Sequence, residues 1–197
     1  MSAVLWLIRH GETDWNREGR WQGWRDVPLN PTGLAQAEAM AERLARAGVV
    51  FGALYASPLR RALQTAHPTA RRLGLEIRID ERLREIHQGV FEGLTHAEIA
   101  QRFAAELEAI RRAPALTSAP GGETVTQVAA RVRAAADDIA HQHEGQTVLV
   151  FGHGLALATL YCQAHAIPLE EAPRYIPANG DILVVEWNGA SPSDSRE

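Results

Sequence analysis

A chain of 197 residues with 46% hydrophobic side chains is long enough to bury one substantial core, and its length suits one domain better than two. A net charge of -4 supplies no global basic field and disfavours nucleic acid as a partner. The single cysteine, Cys162, excludes an internal disulfide framework and any zinc site built from paired cysteines, and its expected role is a small buried apolar residue.

The opening MSAVLWLIRHG carries too short an apolar run for the h-region of a signal peptide. The one long apolar stretch, 148–166, is interrupted by Gly152, His153, Gly154, Thr159 and Gln163, where a membrane span needs about twenty lipid-compatible residues. A soluble, cytoplasmic protein without a membrane partner is therefore expected.

Val4 to Ile8 reads as a short buried strand followed by turn chemistry. Asn30-Pro31-Thr32 opens a helix with Leu34, Ala37, Ala41, Leu44 and Ala45 along one face and Gly48 just past its end. Val49 to Ala56 reads as a second strand. Ser57 then serves as the expected cap of a helix with Pro58 at its first position, stopping near Gly74. Glu76 to Ile79 is a short third strand. Thr95 and Glu98 form a capping-box match for a helix reaching about Arg112, and 114–122 is a loop rich in breakers. From Glu123 to about His143 the pattern is helical, with Val125, Val128, Ala129, Val132 and Ala136 on one face. Thr147 to Phe151 is a strand, Leu155 to about Ala166 a helix, and Asp181 to Trp187 a last strand. Residues 189–197, GASPSDSRE, are small and polar, and a disordered tail is expected there after a single domain spanning 1–188.

Strands alternating with amphipathic helices predict a three-layer α/β/α fold with a mostly parallel central sheet. Such sheets bind ligands at the carboxyl ends of their strands. Three segments bring charge to that edge: Arg9-His10-Gly11, Ser57 to Arg61, and Gly152-His153-Gly154. Two imidazoles and at least two guanidiniums together imply a bound oxyanion, with phosphate first, because Arg forks match its oxygens and clustered cations are costly without an anion. The glycine after each histidine is expected to let backbone approach the ligand.

With those residues in view, LIRHGETDWN resembles the RHG signature of the histidine phosphatase superfamily, also called the phosphoglycerate mutase-like family. WQGWRDVPLNPTGLAQA resembles that family's next loop and first helix, YASPLRRALQTA its second arginine motif, LREIHQGVFEGLTHAEI its acid-bearing segment, and VLVFGHG its second histidine motif. The motifs stand in the family's order over roughly Leu5 to Trp187. The resemblance implies a phosphoglycerate mutase-like fold, His10 as nucleophile, Arg9, Arg61 and His153 on the phosphoryl oxygens, and Glu85 as proton donor. It further implies phosphate or substrate contacts for Asn16, Gln22, Gly23 and Gly154. Asn16 has a second reading, an Asx turn that closes the loop.

In the implied chemistry a neutral imidazole attacks phosphorus in line, cations stabilise the equatorial oxygens, and Glu85 protonates the leaving oxygen and later activates water. That scheme requires no metal and no cofactor. His141 and His143 do not share a helix face, so a metal site there is disfavoured. Trp15, Trp21 and Trp24 either wall the pocket or pack their loop, and His87 either tunes Glu85 or caps a turn.

Water as acceptor makes a phosphatase of a small phosphomonoester; a second hydroxyl makes a cofactor-dependent phosphoglycerate mutase. The family's mutases carry longer basic segments after the acid-bearing region, where this chain offers only Arg111 and Arg112, so the phosphatase is preferred. Val90 and Phe91 stand where many relatives carry an acidic residue and a tryptophan, and the segment after His153 lacks an arginine common in the family. A non-catalytic anion-binding module is the remaining alternative. For assembly the reading inclines to a homodimer through a sheet edge or helix face.

Overall fold

The computed structural model describes residues 2–189. Strands β1 (Ser2–Arg9), β2 (Phe51–Ala56), β3 (Ile77–Ile79), β4 (Thr147–Gly152) and β5 (Ile182–Asn188) form one sheet in the order β3-β2-β4-β1-β5. The first four are mutually parallel, and β5 pairs antiparallel with β1 at the edge. Both faces are covered, which gives the expected three layers. Helices α2 (Pro31–Ala45) and α3 (Arg60–Leu73) cover one face over Ile8, Leu54, Leu149 and Phe151. Helices α6 (Val125–Gln142) and α7 (Gly154–Ala164) cover the other over Leu5, Leu7, Val148 and Val150.

The connections decide where a ligand can sit. The chain leaves β1 toward the α2 face and leaves its neighbour β4 toward the α7 face, so a crevice opens between their carboxyl ends. Arg9 pairs in register with Gly152, which sets His10 and His153 side by side at that crevice. The remaining helices lie outside the layers. Helix α1 (Asp14–Arg17) is a single turn after the His10 loop, and α4 (His96–Arg102) and α5 (Ala104–Arg112) form a small outer lobe on Phe91, Ile99, Leu107 and Ala119.

Several local expectations change. Leu34 is 46% exposed and Ala45 is also exposed; the buried face of α2 is instead Gly33, Ala37, Met40, Ala41 and Leu44. Ser57 does not cap α3, which begins after Leu59 without a side-chain cap. One helix from Thr95 to Arg112 becomes two, because Phe103 leaves the helical region and packs its partly buried ring against Phe91. Short elements without a periodic signal include α1, 3-10 turns at Glu81–Leu83 and Gly89–Phe91, and a 3-10 stretch at Leu169–Tyr175 that packs on α7. Cys162 is buried, as expected. Of the tail expected at 189–197, only Gly189 falls within the described residues. No helix among the described residues is long and apolar enough to cross a membrane.

Candidate active site

The rings of His10 and His153 lie 5.3 Å apart, centroid to centroid, and both are almost fully shielded from solvent. His10 Nδ1 is 2.7 Å from the carbonyl oxygen of Gly11. A carbonyl only accepts, so Nδ1 carries the proton and Nε2 keeps its lone pair. For His153 the tautomer is reversed. Arg61 Nε donates to Nδ1 at 3.2 Å, so the proton sits on Nε2, which donates to Ser57 Oγ at 2.7 Å. Burial, then the nearby Arg61 guanidinium, holds both imidazoles well below the ordinary histidine range. Both rings are therefore neutral at neutral pH.

Arg61 is 1% exposed, and burial lowers its guanidinium to about 10, with Glu85 and Asp26 opposing the shift. Its Nη1 and Nη2 donate to the carbonyls of Arg25 and Gly23 at 2.7 and 2.8 Å. With Nε on His153, three of its five N–H groups are used and two remain for a ligand. Arg9 donates from Nη1 to the Pro177 carbonyl at 2.6 Å, while its buried Nε has no partner. A buried cationic donor left without an acceptor marks the place an anion would fill.

These groups form the floor of a cavity of about 380 Å³. Arg9, His10, Asn16, Gln22, Gly23, Arg61, Glu85 and Gly154 all line it; His153 lies just beneath, behind Arg61 and Ser57. Glu85 sits at the start of α7, where Oε2 accepts from the Leu155 amide at 3.2 Å and Oε1 from the Ala156 amide at 3.1 Å and from its own neighbour Ile86 at 2.9 Å. Gln22 is 8% exposed, and its Oε1 has no partner.

Asn16 divides its side chain between the two readings. Its oxygen closes the Thr13 capping box and accepts from Asn179, and the residue lines the cavity. Gly23 adopts φ +50°, and its carbonyl holds Arg61. The glycines after the two histidines are also tightly packed, and Gly154 lines the cavity as well. A Cβ on Gly11 would come within 2.6 Å of the Gly33 carbonyl oxygen, and one on Gly154 within 2.9 Å of Ile176.

Of the tryptophans only Trp21 lines the cavity. Trp15 packs beside Gly93. Trp24 donates from Nε1 to the Glu85 carbonyl at 2.6 Å, under the guanidinium of Arg84 and against His87. His87 faces Glu92, with Nε2 3.7 Å from its carboxylate, and does not line the cavity. Phe91 is fully buried in the outer lobe, whereas Val90 is 46% exposed. Residues absent from the sequence reading also belong to this neighbourhood. Asn179 donates to the carbonyls of His10 and Gly11 at 3.0 and 3.3 Å, and Arg131 holds the backbone around Glu85. Neither has a local sequence signal, because each acts across more than forty residues of chain.

The model of the histidine phosphatase superfamily, branch 1, matches residues 5–194. Phosphoserine phosphatase 1 of Hydrogenobacter thermophilus is 30% identical over 85% of this chain and 78% of its own length. The 2,3-bisphosphoglycerate-dependent phosphoglycerate mutase of Brucella anthropi is 32% identical over 100% of this chain and 98% of its own. The structure of the mycobacterial glucosyl-3-phosphoglycerate phosphatase complexed with VO3 superposes with a TM-score of 0.82 at 31% identity, covering 95% of this chain and 99% of that one. The chain belongs to the histidine phosphatase superfamily, branch 1.

Proposed function

We propose that this protein is a metal-independent phosphatase of small phosphomonoesters, working through a phosphohistidine at His10. The observation that carries this reading is a neutral His10 with its Nε2 lone pair free, at the floor of a cavity beside an unpartnered Arg9 donor and the two spare N–H groups of Arg61. Two phosphatases among the chain's relatives support it.

In the first step His10 Nε2 attacks phosphorus in line, the N–P bond forms and the P–O bond to the leaving group breaks. Arg9 and Arg61 neutralise the equatorial oxygens, the task a metal ion performs in other phosphoryl-transfer enzymes. Glu85 delivers its proton to the leaving oxygen. In the second step Glu85, now a carboxylate, takes a proton from water, whose oxygen attacks phosphorus and releases His10. His153 joins when its Nε2–H turns from Ser57 Oγ to a phosphoryl oxygen. Asn16, Gln22, Gly23 and Gly154 complete the phosphate and substrate contacts.

The mutase is the second reading. Its candidate extra cations lie outside the cavity: Arg112 pairs with Glu108 at 3.1 Å and Arg111 with the same carboxylate at 4.0 Å. We further propose a cytoplasmic homodimer with one domain over 1–188. Its support is the lone cysteine and the edge strand β5, on which Val184 is 49% exposed. A monomer by sedimentation velocity at micromolar protein would remove the dimer.

The deciding experiment is a phosphomonoester assay with chelator present, on the wild type and His10→Ala. Turnover by the wild type, its loss in the variant, and phosphate mass on residue 10 in the quenched wild type are expected. Phosphate binding without turnover of any ester would favour the anion-binding module. Interconversion of 3-phosphoglycerate faster than phosphate release would favour the mutase.

A further inference from the structure

We propose, resting on the phosphatase reading, that the preferred leaving group is uncharged and apolar, of the size of a substituted aromatic ring. The cavity has two chemically distinct halves. Its floor holds Arg9, His10 and Arg61. Above the floor the apolar walls are Trp21, Ile86, Ile110, Leu155, Pro173 and Ile176, drawn from five separate parts of the chain. A phosphoryl group on the floor directs its ester substituent into that apolar half. A volume of about 380 Å³ is sufficient for a phosphoryl group together with a ring-sized substituent.

Charge in the upper half argues in the same direction. Arg20 is the one lining cation above the floor among the described residues, and its charge is already balanced by Glu18 and Glu98. Its Nε donates to Glu18 at 2.8 Å, and its Nη1 to Glu98 and to the Gly93 carbonyl at 3.1 and 2.8 Å. Glu123 lines the same space and is held by Arg131. A carboxylate or second phosphate on the leaving group would therefore enter apolar surroundings near Glu123 without an unbalanced cation to meet it. A single neutral donor is different. The unpartnered Oε1 of Gln22 can accept from one hydroxyl or amine near the ester oxygen.

Three aryl phosphates of closely matched leaving-group basicity test this: phenyl, 4-tert-butylphenyl and 4-carboxyphenyl phosphate. We expect kcat/KM for the tert-butyl ester to exceed that for the carboxylate ester by about tenfold or more, on the scale by which apolar pockets discriminate. Ile110→Lys, which places a cation on the apolar wall, should reduce that ratio by about tenfold. A wild type that hydrolyses all three esters equally, or prefers the carboxylate, overturns the inference and leaves the phosphatase reading standing. An absence of turnover with any ester overturns both. A ratio unmoved in a folded Ile110→Lys enzyme also counts against the apolar wall as its cause.

Discussion

Arg131, in the middle of α6, donates from Nη2 to the carbonyl oxygen of Glu85 at 2.8 Å. Its Nη1 reaches the carbonyls of Arg84 and Arg82 at 2.6 and 2.7 Å, while Nε and Nη2 pair with Glu123 at 2.8 and 2.9 Å. One planar guanidinium thus fixes the backbone that presents Glu85 to the cavity, together with the Trp24 indole that donates to the same carbonyl. A lysine has one ammonium and no fork with which to span these acceptors.

Arg131→Lys should therefore lower kcat more than it raises KM, because the proposed phosphate floor is untouched while the proposed acid is displaced. A loss of about tenfold to 100-fold in kcat is expected from a displacement on the order of 1 Å. Initial rates over a substrate range separate the two parameters. Wild-type kcat in a folded variant would remove Arg131 from the positioning of Glu85.

The pH dependence follows from the buried imidazoles. Both have folded-state values well below the usual 6.5, chiefly through burial and next through Arg61. His10 therefore stays neutral, as its proposed role as nucleophile requires, at pH values where a free imidazole is mostly protonated. The acid limb of kcat/KM is expected below pH 6.5, and a limb centred above it would contradict this assignment. For stability, the unfolded chain binds protons at these positions before the folded one does. Stability is thus at its reference above about pH 6.5 and falls as the pH drops from there toward the folded values. Urea midpoints measured from pH 7 to pH 5 should decline in the wild type and decline less in a folded His153→Gln variant.

Ser57 accepts the Nε2–H of His153 in a site without water access, as both residues are 0% exposed. Ser57→Ala leaves that N–H unsatisfied and should cost about 1–3 kcal/mol of stability. Activity should fall as well, since the ring loses one of the two contacts that hold its tautomer. Ser57→Thr restores the hydroxyl and should recover part of both. Identical behaviour of the alanine and threonine variants would mean the hydroxyl is not the operative group.

Gly33 packs against the loop that carries His10. A Cβ there would collide with the Glu12 carbonyl oxygen, a contact with rigid backbone that no side-chain rotation can relieve. Gly33→Ala should therefore destabilise the fold by about 1–3 kcal/mol, as overpacking does. It should also lower activity by shifting the His10 loop. Urea denaturation gives the first quantity and kcat/KM the second; stability and activity both at wild-type levels would show that the loop yields without cost.

The sequence by itself determined the layers and the chemistry of the floor. Apolar strands such as 4–8 and 147–151 cannot rest exposed, the helices between them have one apolar face each, and a parallel sheet covered on both sides follows. The strand ends then deliver Arg9, His10, Arg61 and His153 to one edge, since Arg9 ends a strand and the others sit one to five residues past one. What depends on local spacing is legible in a linear string. Only the tertiary structure decided which side chains hold those groups and what the space above them is like. Ser57 reads as a helix cap locally and becomes the acceptor for a histidine 96 positions away. Leu34 fits the helical period yet faces solvent, because Gly33 must press on the His10 loop and so fixes which side of α2 turns inward. Arg131 and Asn179 act through carbonyls distant in the chain, and every residue carries a carbonyl, so no pattern of residue types records such a partner.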